Sequence, residues 1–212
     1  FSFLDGASRI EELVNRAAEL DMPALAITDH DNLCGAVKFY KGARKAGIKP
    51  IQGVEITMEG GFHLTLLARS PRAYASLCSL LTRSHLDNPR GEPAAAFTGL
   101  KELKEVIVLS GCRQGEINQL ILQGQYKKAC RRAREYLGIL GRENFYIELQ
   151  GGCLPGDSFI NRRLYQLAQD LDIEMVASNN VHYACHQDFI IHDLLTCIRT
   201  LTRVQDIHPR RP

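Results

Sequence analysis

From residue 10 the apolar side chains Ile10, Leu13, Val14, Ala17, Ala18 and Leu20 recur at three- and four-residue intervals, the period of an amphipathic helix. Ser8-Arg9-Ile10-Glu11 at its start has the capping-box pattern, and Pro23 stops it. The pattern then changes. Residues 24–28 (ALAIT) form a continuous small or apolar run, as in a buried strand. A second helix fits 33–46, ended by Gly47, and a strand fits 49–58. Glu59-Gly60-Gly61 is a turn, and 62–68 is the returning strand. Pro71 opens a helix to about residue 84, and 85–99, with two Pro and two Gly, is the best loop candidate. Beyond it the spacing predicts strands at 106–109, 144–149 and 173–178, and helices at 115–123, 125–140, 158–171 and 187–200, with a loop at 151–156.

Strands that alternate with helices predict an α/β fold, with a mainly parallel sheet and helices outside it. The strands are short and very apolar, as in a sheet covered on both faces. A barrel and a doubly wound sheet both satisfy the order. Six strands are legible, and a seventh is expected upstream of Phe1. No linker divides the chain, so residues 1–212 read as a single domain. Phe1 instead of Met, and Arg210-Arg211-Pro212 at the other end, suggest a piece of a longer protein.

Composition adds exclusions. The chain is 45% hydrophobic and 24% charged, with a formal net charge of +2. That is an ordinary globular balance, and it imposes neither a nucleic-acid nor a membrane partner. No apolar run approaches the roughly 20 residues of a membrane span. No signal peptide is visible, so a cytoplasmic location is expected. The seven cysteines are scattered and include no C-x-x-C pair, against a zinc ribbon or a disulfide framework. Lys127, Lys128, Arg131, Arg132 and Arg134 give one helix a basic face, most simply a solvated one.

The chemistry gathers where strands end, the usual place for functional groups in parallel α/β folds. Strand 24–28 runs into Asp29-His30-Asp31. Strand 49–58 contains Glu55, and strand 106–109 runs into Ser110-Gly111-Cys112. Strand 144–149 contains Glu148, and strand 173–178 leads to Asn180 and His182. Asp5 lies just before the first helix. His63 starts a strand, but a turn centred on Glu59 places it nearly opposite Glu55 across the hairpin. One histidine at a strand end is ordinarily a hydrogen-bonding residue. Histidines, carboxylates and a cysteine collected at one set of strand ends suit zinc, manganese or iron instead.

Read in order, FSFLDGAS, ALAITDHDNLCGAVKFYKGARKAGIKPIQGVE, HLTLLA, VIVLSGC, FYIELQ and VASNNVHY resemble the PHP (polymerase and histidinol phosphatase) domain at the N-terminus of bacterial DNA polymerase III alpha subunits. The resemblance implies a distorted (β/α)7 barrel with up to three divalent metal ions at one mouth, its first strand truncated here. It implies metal-ligand roles for Asp5, His30, Glu55, His63, Cys112, Asn180 and His182, with Asp29 and Asp31 as supports for His30 or the helix start. The family's opening H-x-H would lie before residue 1. Asn180 stands where catalytic members carry Asp, as in error-prone relatives, and a neutral amide holds a hard cation more weakly than a carboxylate.

On this resemblance the parent chain is a DNA-directed DNA polymerase and this domain a metal-dependent phosphoesterase. Its substrate would be a DNA 3′ end (proofreading), pyrophosphate or a small phosphomonoester, attacked by a water that the ions activate. The alternative is a non-catalytic scaffold that stabilises the polymerase or docks a proofreading subunit. A free-standing histidinol-phosphatase-type enzyme is a third reading, opposed by the polymerase-like LCGAVKFY segment. Expected partners are DNA, through the parent polymerase, and replisome or proofreading subunits, with no membrane.

Overall fold

The computed structural model describes residues 2–152 and 154–206. Phe1, Cys153, His208 and Arg210-Arg211-Pro212 lie outside the described residues. The elements follow in the order α1 (Ile10–Glu19), β1 (Ala24–His30), α2 (Ala36–Lys45), β2 (Lys49–Thr57), β3 (His63–Ala68), α3 (Pro71–Leu86), β4 (Val106–Leu109), α4 (Glu116–Leu122), α5 (Tyr126–Leu140), β5 (Phe145–Gln150), α6 (Asp157–Leu171), β6 (Met175–Ser178) and α7 (Phe189–Thr200). Short 3₁₀ turns at Phe97–Glu102 and His186–Asp188 complete them.

All six strands join one sheet in sequential order, β1 through β6. This decides between the two predicted architectures, because a doubly wound sheet reverses its strand order part-way and this one does not. The β1–β2, β4–β5 and β5–β6 pairs are parallel, whereas β3 is antiparallel to both neighbours. Five strands therefore point the same way and β3 runs against them. The start of β3 then reaches the same edge of the sheet as the ends of the other five, so His63 belongs with the strand-end residues.

Side chains alternate across a strand, and here the two faces differ in chemistry. Val54 and Ile56 of β2, Leu64 and Leu66 of β3, Val106 and Val108 of β4, and Phe145 and Ile147 of β5 enter the main core. They pack there with Leu77, Ala133, Tyr136, Leu164 and Leu167 of the outer helices. A smaller core joins α1 and α2 to β1 through Ile10, Val14, Phe39 and Ala43, with Leu25 and Ile27. The opposite face of the same strands carries His30, Glu55, His63, Thr65 and Glu148. The sheet curls around this polar inner face.

The first residues tie the open edges together. His30 N–H donates to Ser2 Oγ at 3.1 Å beside β1. Ala7 N–H donates to the His182 carbonyl at 2.7 Å beyond β6. The segment around Asp5 thus bridges the mouth.

Two predicted details shift. The predicted capping box is displaced by one residue, because Arg9 N–H donates to the Glu12 carboxylate at 2.7 Å. Ser8 Oγ instead accepts from Ala184 N–H at 2.8 Å, a tertiary contact that sequence-local reasoning cannot see. The predicted loop 85–99 is also less irregular than its composition. Ala95 bridges Met58 and is buried, and α3 runs on through Leu86.

Candidate metal centre

His30 enters the mouth because β1 continues two residues past its apolar run. Register with β2 pairs Asp29 with Val54 and His30 with Glu55. A strand that gains partners on β2 need not stop where its apolar residues stop. Gly53, in the same row as Glu55, has no room for a side chain, since a Cβ there would stand 2.6 Å from the Leu66 carbonyl oxygen. Glycine there permits the close approach of β3 to β2.

The hairpin register differs from the predicted one by two residues along β3. Thr65 faces Glu55, and His63 faces Thr57, so His63 is diagonal to Glu55 on the same face. The ring still reaches the carboxylate, with His63 Nδ1 3.0 Å from Glu55 Oε1. On the other side of Glu55, His30 Nε2 lies 3.5 Å from Oε2. The two imidazoles meet edge to face, 4.9 Å between centroids.

Cys112 is aimed by the turn after β4. Gly111 adopts φ +88°, and a Cβ there would fall 2.3 Å from the His63 carbonyl oxygen. Only glycine fits such a left-handed, closed position. The turn brings the Cys112 thiol to donate to Glu55 Oε1 at 3.1 Å, with Sγ 3.6 Å from His63 Nδ1. Burial, and then the negative charge of Glu55, push this thiol far above its usual range. Burial also acts on Glu55, but His63, His30 and the Cys112 thiol outweigh it and hold the carboxyl below its ordinary value.

A second cluster adjoins the first through Asp5. Its Oδ2 lies 3.6 Å from His30 Nε2 and 3.3 Å from His182 Nδ1. Arg199 of α7 donates to Oδ1 of the same carboxylate. Burial opposes ionisation of Asp5, yet His182 and Arg199 together hold it well below the usual carboxylate range. His182 stacks on the buried His192 of α7, 4.7 Å between centroids, and His192 Nδ1 lies 3.0 Å from the Asp5 carbonyl oxygen.

Of the residues singled out in the sequence, six meet here: Asp5, His30, Glu55, His63, Cys112 and His182. Asn180 does not. It is exposed, and among the described residues its side chain makes no hydrogen bond to the others. Asp29 and Asp31 support the backbone that carries His30. Asp29 accepts from Ser2 Oγ at 3.1 Å, and the same hydroxyl accepts the His30 N–H. Asp31 accepts from Thr57 N–H and Oγ, both at 2.7 Å, which clamps the end of β1 to the end of β2. His85 caps this clamp from outside, its Nε2 2.7 Å from the Asp31 carbonyl oxygen.

Sequence reasoning missed Arg199. The available signal was its helical spacing from His192 and Thr196, two polar residues that α7 buries. Glu148 is a further case, visible in sequence but not placed among the ligands. It is buried on the inner face, with Oε1 accepting from Ser178 Oγ and from Gln150 Nε2, while Oε2 has no hydrogen-bond partner among the described residues.

The donors fit one small cation. Four ligand atoms around zinc at about 2.0–2.3 Å stand roughly 3.3–3.8 Å from each other. His30, Glu55 and His63 each offer one ligand atom, all within 4.8 Å of one another, and Cys112 Sγ adjoins this group at 3.1 Å from Glu55 Oε1 and 3.6 Å from His63 Nδ1.

Comparison with known proteins decides the family. The profile described as "PHP domain" matches residues 1–152. The chain belongs to the PHP domain family. An "Error-prone DNA polymerase" from Symbiobacterium thermophilum is 48% identical over 230 residues, covering 100% of this chain and 21% of that protein. A "DNA polymerase III subunit alpha" from Thermus aquaticus is 38% identical over 224 residues, covering 97% of this chain and 18% of that protein. This PHP chain thus spans about a fifth of the length of the curated relatives it matches. In structure it is similar to an amidohydrolase from Chromobacterium violaceum, with TM-score 0.61, 16% identity, and coverage of 87% of this chain and 85% of that one. A protein from Bifidobacterium adolescentis, provisionally described as a metal-dependent phosphoesterase, has TM-score 0.56 and 14% identity, covering 85% and 84%. These likenesses are of fold. They agree with the curled sheet and its outer helices.

Proposed function

We propose that this PHP domain is one part, residues 1–212, of a bacterial-type DNA polymerase of the DNA polymerase III alpha or error-prone kind, and that it hydrolyses phosphoesters with a divalent metal ion. The observation that carries the reading is the donor set itself: His30, Glu55 and His63 at ligand-to-ligand distances, with the Cys112 thiol against Glu55 and His63. Zinc, manganese or iron suits these donors. A divalent ion held there would lower the pKa of a water and neutralise phosphate oxygens.

The chain's own residues prepare the site. Glu55 places one oxygen against both His63 and Cys112 and the other against His30, so a single carboxylate orients three donors. Asp31 and Thr57 hold the strand ends that carry His30 and Glu55. Asp5 and His182 line the adjoining half. The substrate that best suits a polymerase-linked site is a DNA 3′ end, and DNA with replisome subunits are the partners. Lys127, Lys128, Arg131 and Arg134 are exposed on α5, whereas Arg132 is taken by Glu116 and Glu135 and packs over Phe97. Among the described residues no helix is long and apolar enough to cross a membrane, which suits a cytoplasmic role.

A non-catalytic, stabilising role is the second reading, favoured by the exposed Asn180 and by the pairing of Asp5 with Arg199. One experiment separates them. The full-length polymerase and its His63→Ala variant are compared for zinc content and for removal of a 3′-terminal nucleotide. Hydrolysis lost in the variant with polymerisation retained supports the enzyme. Equal hydrolysis in both proteins overturns it.

A further inference from the structure

We propose that Arg199 is a resident cation in the Asp5–His182 half of the site, so that this half holds no metal ion while Arg199 is in place. The inference goes beyond the reading above, which concerns only the His63 half.

Asp5 is shared between the two clusters, 3.6 Å from His30 and 3.3 Å from His182. One oxygen faces the histidines and the other accepts from the Arg199 guanidinium. A buried carboxylate between two imidazoles is a natural cation seat, and here a fixed positive charge already fills it. The placement is built. Arg199 follows His192 and Thr196 on the inward side of α7, and both of these are buried. His192 lies against the Asp5 carbonyl oxygen and stacks on His182, so the helix that delivers Arg199 also packs against the other members of the cluster. A divalent ion brought to the same carboxylate would meet the guanidinium at close range, and like charges in a partly buried site repel strongly. Exposed Asn180 adds no negative charge to offset that repulsion. A guanidinium carries five donors in a rigid fork, and among the described residues Asp5 is the hydrogen-bonding partner of Arg199. Its remaining donors suit an oxygen of a bound phosphate.

Zinc is the probe, counted by mass spectrometry after dialysis of the full-length protein. Differences between variants cancel ions bound elsewhere in that chain. Asp5→Asn should leave the zinc content of the wild-type protein unchanged. Arg199→Gln should gain about one ion per chain, and the gain should vanish in the Arg199→Gln, Asp5→Asn double variant. Arg199→Lys, which keeps the charge, should show no gain. Loss of an ion in Asp5→Asn alone overturns the inference, as does an unchanged count in Arg199→Gln. If Arg199→Gln does not fold, the Asp5→Asn arm still decides. His63→Ala reports separately on the other half. An unchanged count there defeats the metal reading of that half, while an Asp5-dependent gain in Arg199→Gln would still uphold this one.

Discussion

At the residue scale, the buried carboxyls of Asp5 and Glu148 are shifted in opposite senses. Asp5 is held below its ordinary value of 3.8 despite burial, by His182 and Arg199. The stabilisation from its ionised form is therefore present above that value and lost as pH falls below it. Glu148 is raised above 4.5, chiefly by burial and also by the charge of Glu55. Its ionisation in the folded state therefore costs stability, and the cost grows as pH rises through and above that value. We expect Glu148→Gln to raise the melting temperature of the metal-free protein at pH 7 and to change it little at pH 4. Asp5→Asn should flatten the loss of stability between pH 5 and pH 2. Thermal unfolding across pH measures both. Cys112 supplies another outcome. Its thiol is protonated and buried beside Glu55, whereas a metal takes the thiolate. Zinc uptake should therefore release about one proton more from the wild-type protein than from Cys112→Ser. Calorimetry in buffers of different ionisation enthalpy reads that difference, and equal release in the two proteins would remove Cys112 from the ligand set.

At the element scale, turns and registers aim the donors more than any helix does. Gly111→Ala places a Cβ against the His63 backbone at a positive φ. It should cost about 1–3 kcal/mol of stability by such backbone strain, and weaken zinc binding as Cys112 and His63 move apart. Denaturant unfolding and zinc titration check the two effects. Most elements were legible because their apolar periods are strong. The strand 106–109 was read at its observed bounds, and α1, α3, α5 and α6 within two residues at each end. The misses have specific causes. β1 extends through Asp29 and His30 because β2 offers register partners there, which no property of those two residues announces. The hairpin turn is two residues longer on its β3 side than a centre at Glu59 suggested, so His63 lies diagonal to Glu55.

On the scale of the whole molecule, α7 is turned with its polar residues inward. His192 and Thr196 are buried, while Ile190, Leu194, Ile198 and Leu201 are exposed at 68%, 45%, 57% and 93%. An apolar stripe left in water is a surface for association, and on the proposed reading it would meet the remainder of the polymerase. Ile190→Glu with Ile198→Glu should make the isolated segment more soluble, and should lower the melting temperature of the full-length protein by several degrees, as loss of a buried apolar contact does. Equal melting temperatures would place this face outside any interface. Taken by itself, the sequence determined the alternation of strands and helices, the apolar core faces, the donors at successive strand ends and, through ordered motifs, the family. These are written in local periodicity and residue type. Tertiary structure alone decided that the strands follow one another without reversal, that β3 runs backwards to bring His63 to the mouth, that Asn180 is exposed, and that Arg199 reaches Asp5 across 194 residues. Each of these depends on how distant segments share one curled sheet, and the distance between two such segments is set by packing that neither encodes alone.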